Sequence, residues 1–128
     1  MKHHVLILDD EADVRGAIRL QLKGTRFDVL EAENVDQAIA LIGDNPISID
    51  VIICDVRMPG KSGVEAVDYF QRQYPNTPVI VLTGFPDVAL AVDFMKKKDV
   101  VDFLTKPVDK EKLVATVERA ARSRKLFE

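Results

Sequence analysis

Short apolar runs alternate along this chain with longer stretches of mixed polarity, and the alternation predicts its elements. Val5-Leu6-Ile7-Leu8, Val51-Ile52-Ile53-Cys54 and Val79-Ile80-Val81-Leu82 are continuous and largely β-branched, each followed by polar or turn residues and then a helical pattern. A strand covered on both faces has no solvent side to keep polar, so such runs predict parallel strands between helical layers. Phe27 to Ala32 and Val100 to Leu104 are more mixed and are expected towards the sheet edges.

Between these runs, Val14, Ile18 and Leu22 recur every four residues, and Val64, Val67 and Phe70 or Tyr74 recur at mixed three- and four-residue spacing. Each set lines one helix face that can press on a sheet. Asn34 or Asp36 opens a helix carrying Ala38, Ile39 and Ile42, Asp87 precedes a helical run through Met95, and Asp109 precedes one carrying Leu113, Val117 and Ala121. Asn and Asp suit these positions because their oxygens accept bonds from the unpaired N–H groups of a first helical turn. Strand followed by helix, five times over with short connections, predicts a right-handed, doubly wound α/β domain. The expected form is (β/α)5 around a central five-stranded parallel sheet, in the flavodoxin-like order 2-1-3-4-5. With 128 residues, positions 1–128 are expected to form one domain. The charged segment 119–128 continues the last helical pattern and is expected to fray or to lead into an output domain beyond it.

Composition narrows the function classes. Hydrophobic residues make up 47% and charged residues 30%, as in a soluble globular protein. The 18 basic and 21 acidic side chains are spread along the chain for a net charge of -3, so direct nucleic-acid binding is not expected. Met1-Lys2-His3-His4 leads into only four apolar residues before Asp9, too few for a signal-peptide core or a membrane span. The expected location is cytoplasmic, with no membrane partner, and His3 and His4 are expected to be solvated. Cys54 is the single cysteine and sits in an apolar run, which predicts a buried, inert thiol.

In an open parallel sheet, ligands bind beyond the carboxyl ends of the strands. Asp9 and Asp10 follow the first strand, Asp55 the third, Thr83 the fourth and Lys106 the fifth. Any one of them alone reads as a surface turn residue or a helix cap; their joint placement at one end of the sheet is the signal. Crowded carboxylates repel each other, and a hard divalent cation with oxygen ligands compensates. Asp10 and Asp55 are the expected direct ligands, Asp9 the residue that orients metal-bound water, and the backbone carbonyl near Arg57 a third protein ligand. Magnesium suits such a site, and manganese can substitute. Asp55 offers a carboxylate oxygen as a nucleophile for phosphoryl transfer, the Lys106 ammonium can neutralise phosphoryl charge, and the Thr83 hydroxyl can donate to a phosphoryl oxygen. Pro107 holds the Lys106 backbone in a defined bend, and Pro59-Gly60 force a tight loop beside Asp55.

The Leu8-Asp9-Asp10-Glu11 start, Cys54-Asp55-Val56-Arg57-Met58-Pro59-Gly60, Gly63, Thr83-Gly84 and Phe103-Leu104-Thr105-Lys106-Pro107 occur in an order that resembles the receiver domain of two-component response regulators over essentially the whole chain. The resemblance implies that Asp55 is the phosphoacceptor, Asp9 and Asp10 an acidic metal pocket, Thr83 the switch hydroxyl, Lys106 the phosphate-facing lysine and Phe103 the switch aromatic, here without a phenol. It implies a sensor histidine kinase or phosphotransfer protein as donor, self-catalysed transfer onto Asp55 and slow self-dephosphorylation, with no metabolic activity. Arg57 and Phe85 are expected to shield the acyl phosphate. The run Val88 to Met95 carries apolar residues beyond one narrow stripe, so partner binding or homodimerisation is expected through the face of the predicted fourth helix, fifth strand and fifth helix. Competing readings are an interaction module of the same fold without phosphotransfer, a flavin- or nucleotide-binding module, and a metal-dependent phosphatase with an aspartyl nucleophile. Asp9-Asp10-Glu11 stands where the second would need a glycine-rich phosphate loop, and the third lacks an evident cap domain.

Overall fold

The three continuous apolar runs become three central strands. In the computed structural model, residues 3–44, 49–56, 63–84, 89, 92, 96 and 100–125 are described. Their order is β1 (His3–Leu8), α1 (Ala12–Leu22), β2 (Phe27–Ala32), α2 (Val35–Asp44), β3 (Val51–Asp55), α3 (Gly63–Gln73), β4 (Val79–Thr83), β5 (Asp102–Thr105) and α4 (Lys110–Lys125). All strand pairs are parallel, in the order β2-β1-β3-β4-β5. The two mixed runs are the edge strands, as expected, and β5 begins at Asp102 rather than Val100. Ala89 and Val92 have helical backbone within the predicted fourth helix, and so does Lys96, one residue beyond its expected end at Met95; Asp87 and the rest of that run lie outside the described residues.

The pleat of each strand sends alternate side chains to opposite faces, which builds two cores from one sheet. Leu6, Leu8, Ile52, Cys54, Val79 and Val81 face α2 and α3, where Ala38, Val67 and Phe70 are buried against them. Val5, Ile7, Val51, Ile53, Ile80, Leu82 and Leu104 face the other way, against Ile18 and Leu22 of α1 and Leu113, Val117 and Ala121 of α4. Each predicted apolar stripe for which side chains are described therefore lands on the sheet. Two caps follow the expected chemistry: Gln37 N donates to Asn34 Oδ1 at 2.8 Å, which selects Asn34 over Asp36, and Lys112 N donates to Asp109 Oδ2 at 3.0 Å. Gly24, with φ 84°, turns the chain after α1 in a conformation a side chain disfavours.

His3 departs from its expected solvation. It opens β1, and its ring lies 2.8 Å from Arg26 Nη1 and 3.5 Å from Asp50 Oδ2, with His4 N also donating to Asp50 Oδ2 at 2.8 Å. The strand begins earlier than its apolar residues, because His3 pairs with Phe27 in the β1–β2 ladder.

Ion pairs tie the edge strand to the helices. Arg15 and Arg19 both bind the Glu31 carboxylate, at 3.1 and 2.6 Å, and Arg26 binds Glu118 at 2.7 Å. The hydrogen bond from Arg19 outweighs burial and, with Arg15, holds Glu31 below its ordinary pKa; the bond from Arg26 does the same for Glu118. A lowered carboxylate pKa stabilises the fold above the unfolded value of 4.5 and is lost as pH falls through the folded value. Glu31→Gln/Glu118→Gln is expected to be less stable than the native chain at neutral pH by roughly 0.5–1 kcal/mol per pair, solvent screening included, and to lose that deficit in acid. Denaturant unfolding at a series of pH values reads this; a deficit that persists at the acid end would contradict it.

Candidate functional site

Strand register and pleat, taken together, assemble the site. Leu8 lies opposite Cys54, so one step further along both strands brings Asp9 beside Asp55. Asp55 pairs with Leu82, and Leu82 pairs with Leu104. Asp9, Asp55 and Lys106 thus share the pleat of Ile7, Ile53 and Leu104, on the α1 and α4 face. Asp9 and Asp55 are buried in spite of their charge, at 0% and 2% exposure. Burial of two carboxylates side by side is stable only with compensating charge.

Lys106 supplies that charge. Its Nζ lies 3.0 Å from Asp9 Oδ2, 2.9 Å from Glu11 Oε1 and 3.1 Å from Asp55 Oδ2. Burial works against the ammonium, but the bond to Glu11 and the negative charges of Asp9 and Asp55 outweigh it and raise its pKa, so Lys106 stays protonated. Lys106 N donates to Thr83 O at 2.8 Å, which anchors the root of the side chain to the end of β4, and the following Lys106-Pro107 peptide is cis.

The acidic loop after β1 is braced from two sides. Asp9 Oδ1 accepts from Glu11 N at 2.8 Å, closing a tight turn, and Arg15 Nη1 donates to Asp9 O at 2.6 Å while its Nε reaches Glu31. Asp10 is exposed at the mouth. Asp9, Asp10, Glu11 and Asp55 each offer a carboxylate oxygen, and these oxygens lie within 4.8 Å of one another. Asp9 Oδ2 is buried and accepts no aligned hydrogen bond; the ammonium 3.0 Å away compensates its charge without filling its lone pairs. An under-coordinated buried oxygen among hard donors fits a small divalent cation.

Thr83 is buried at the end of β4 on the opposite pleat, and its hydroxyl donates to Gly84 O at 3.1 Å. Phe103 lies opposite Val81, two residues before Thr83, and packs half-buried against the α2/α3 core with the Lys112 ammonium 5.7 Å from its ring centre. The expected switch pair thus shares one face of the sheet, and the acid–lysine cluster occupies the other. Cys54 is buried, and burial first, then the charges of Asp55 and Asp9, push its thiol pKa up, in keeping with an inert role. Arg57 and Phe85 lie outside the described residues.

Glu11 and Arg15 are the participants that sequence reasoning missed. Glu11 was visible as the third acid of its motif, but its reach to Lys106, 95 residues away, is set by the fold. Arg15 carried no signal beyond its one-turn spacing from Glu11.

The family model of the response regulator receiver domain matches residues 5–118. The chain belongs to this family. Among curated relatives, this receiver is 36% identical over 123 residues to the response regulator protein PilR of Pseudomonas aeruginosa, covering 96% of the chain and 27% of PilR. It is 36% identical over 122 residues to the transcriptional regulatory protein FixJ of Bradyrhizobium diazoefficiens, covering 94% of the chain and 58% of FixJ. The chain therefore spans less than two thirds of either relative. A solved receiver domain from Clostridium thermocellum superposes with a TM-score of 0.88 at 30% identity, covering 98% of this chain and 99% of that one. NtrX of Brucella abortus gives a TM-score of 0.90 at 27% identity over 99% of this chain and 29% of its own. The receiver is a signalling phosphoacceptor domain with an acidic cluster able to hold a divalent metal. No described helix is long and apolar enough to cross a membrane.

Proposed function

We propose that Asp55 accepts the phosphoryl group, from the phosphohistidine of a sensor histidine kinase or phosphotransfer protein. The observation that carries this is the Lys106 ammonium 3.1 Å from the buried Asp55 carboxylate, in a cluster of acids around one strand end. An Asp55 carboxylate oxygen attacks phosphorus in line with the departing imidazole nitrogen; the P–N bond breaks as the O–P bond forms. Lys106 donates to the phosphoryl oxygens as they move from donor to acceptor, with no reorganisation of water required. Asp10 and Asp55 would hold a magnesium ion, with manganese able to substitute and Asp9 orienting its water; when bound, the ion supplies positive charge against the phosphoryl oxygens.

Thr83 is the switch hydroxyl in this reading. Its bond to Gly84 O is short-range and replaceable, so a phosphoryl oxygen on Asp55 can draw it away and move the end of β4. Phe103 packs beside that strand and responds to its position. The surface that carries the message is the face of the predicted fourth helix, Val88 to Met95, with β5 and α4, and partner binding or homodimerisation uses it; the 39% exposure of Val92, an apolar residue of that run, supports the reading. Residues 1–128 act as one domain, without direct nucleic-acid contacts of their own. Relatives named as a transcriptional regulator and as a cyclic di-GMP phosphodiesterase share this domain at the same 36% identity, so the domain by itself does not choose the output.

Incubation with phosphoramidate and magnesium, followed by intact mass measurement, tests the proposal. One phosphoryl adduct is expected in magnesium and none in excess chelator. An unmodified mass in both, with the fold intact by circular dichroism, would return the chain to the reading of an interaction module without phosphotransfer.

A further inference from the structure

We propose that Glu11 is a positioning residue that parks the Lys106 ammonium in the resting domain and releases it to the incoming phosphoryl group. This rests on Asp55 being the acceptor. Three carboxylates surround the Lys106 Nζ within 2.9–3.1 Å, and the directed hydrogen bonds go to Glu11 and Asp55. The bonds to Glu11 and Asp55 and the Asp9 charge 3.0 Å away fix where the ammonium sits, so moving it towards a phosphoryl oxygen weakens its hold on a partner already present.

The three partners differ in what release requires. Asp9 and Asp55 have side chains 0% and 3% exposed, and losing the cation would leave either carboxylate buried with less compensation. The Glu11 side chain is 60% exposed, so water takes over its solvation at once. Glu11 is thus the exchangeable partner.

A second observation shows that its aim is built in. Glu11 occupies the N-cap of α1, yet its side chain makes no capping bond and spans to β5 instead. Its backbone is held on both sides, by the Asp9 carboxylate on its N–H and by the first-turn amides of Val14 and Arg15 on its carbonyl. The carboxylate consequently stabilises the resting position of Lys106 and is released before phosphoryl charge is transferred. An interaction present in the ground state and lost on the way to the transition state slows the step.

Removing it is expected to speed phosphorylation. Glu11→Ala should raise the rate constant for phosphorylation by phosphoramidate in magnesium about fivefold, the equivalent of one exposed ion pair, with Glu11→Gln in between. The deciding readout is the same substitution in a Lys106→Met background, where the gain should vanish because nothing is left to park. A gain that persists without Lys106, and that shrinks with added salt in both backgrounds, would show simple repulsion of the anionic donor and overturn the proposal. An unchanged or lower rate in folded Glu11→Ala and Glu11→Gln would also overturn it. A native chain that takes no phosphoryl group would instead remove the acceptor assignment beneath it, a result visible before any variant is made.

Discussion

Asp55→Asn is expected to take no measurable phosphoryl group from phosphoramidate in magnesium, a loss of at least about three orders of magnitude in rate. The substitution exchanges a charged oxygen nucleophile for a neutral amide of nearly the same shape. Its neighbours Asp9, Glu11 and Lys106 stay in place, so the fold is retained. It also removes one negative charge from a cluster in which four carboxylate oxygens lie within 4.8 Å of one another. In chelator the variant should therefore be at least as stable as the native chain, and its gain from magnesium should be smaller, because one ligand is weakened. Thermal unfolding with and without the metal checks the second half; intact mass checks the first. Peptide mapping completes the test, since an adduct found on Asp10 or Glu11 of the native chain would move the acceptor away from Asp55.

Lys106→Met should leave the acceptor chemically intact and still slow its phosphorylation by about 10²–10³-fold, the usual consequence of removing one preorganised donor to developing charge. The methionine fills the space of the lysine stem, so the loss reports the ammonium rather than a hole. Stability carries a second signature. Without the cation, the Asp9 and Asp55 carboxylates face each other with 0% and 3% of their side chains exposed. Breaking a fully buried pair is severe, but the Lys106 side chain keeps 18% of its surface in contact with water, which moderates the loss to about 1–3 kcal/mol in chelator. A divalent cation should restore most of that difference, since it binds the same oxygens. Rapid-quench phosphorylation and denaturant unfolding in chelator and in magnesium measure both effects. A rate within a factor of a few of native would remove Lys106 from the transfer step.

Sequence and structure divide the account along a physical line. β1, β3 and β4 were legible because a strand covered on both faces needs unbroken apolar runs, and Val5 to Leu8, Val51 to Cys54 and Val79 to Leu82 supply them. The edge strands were legible as mixed runs for the converse reason, with Asp28 of β2 exposed, while the start of β5 was displaced by two residues because Val100 is buried without joining the ladder. The choice between Asn34 and Asp36 as a cap needed the observed bond, since both side chains have a suitable oxygen.

The site followed the same division. That Asp9, Asp55, Thr83 and Lys106 gather at one end of the sheet is a consequence of parallel topology and was determined by their positions after successive apolar runs. Which of them touch was decided only by the register, which sends Asp9, Asp55 and Lys106 to one pleat and Thr83 with Phe103 to the other. Local pattern encodes burial, because the hydrophobic effect acts on each residue where it stands. Contacts between residues distant in the chain, such as Glu11 with Lys106 or Arg15 with Glu31, depend on the relative placement of whole elements, and no single segment contains that information.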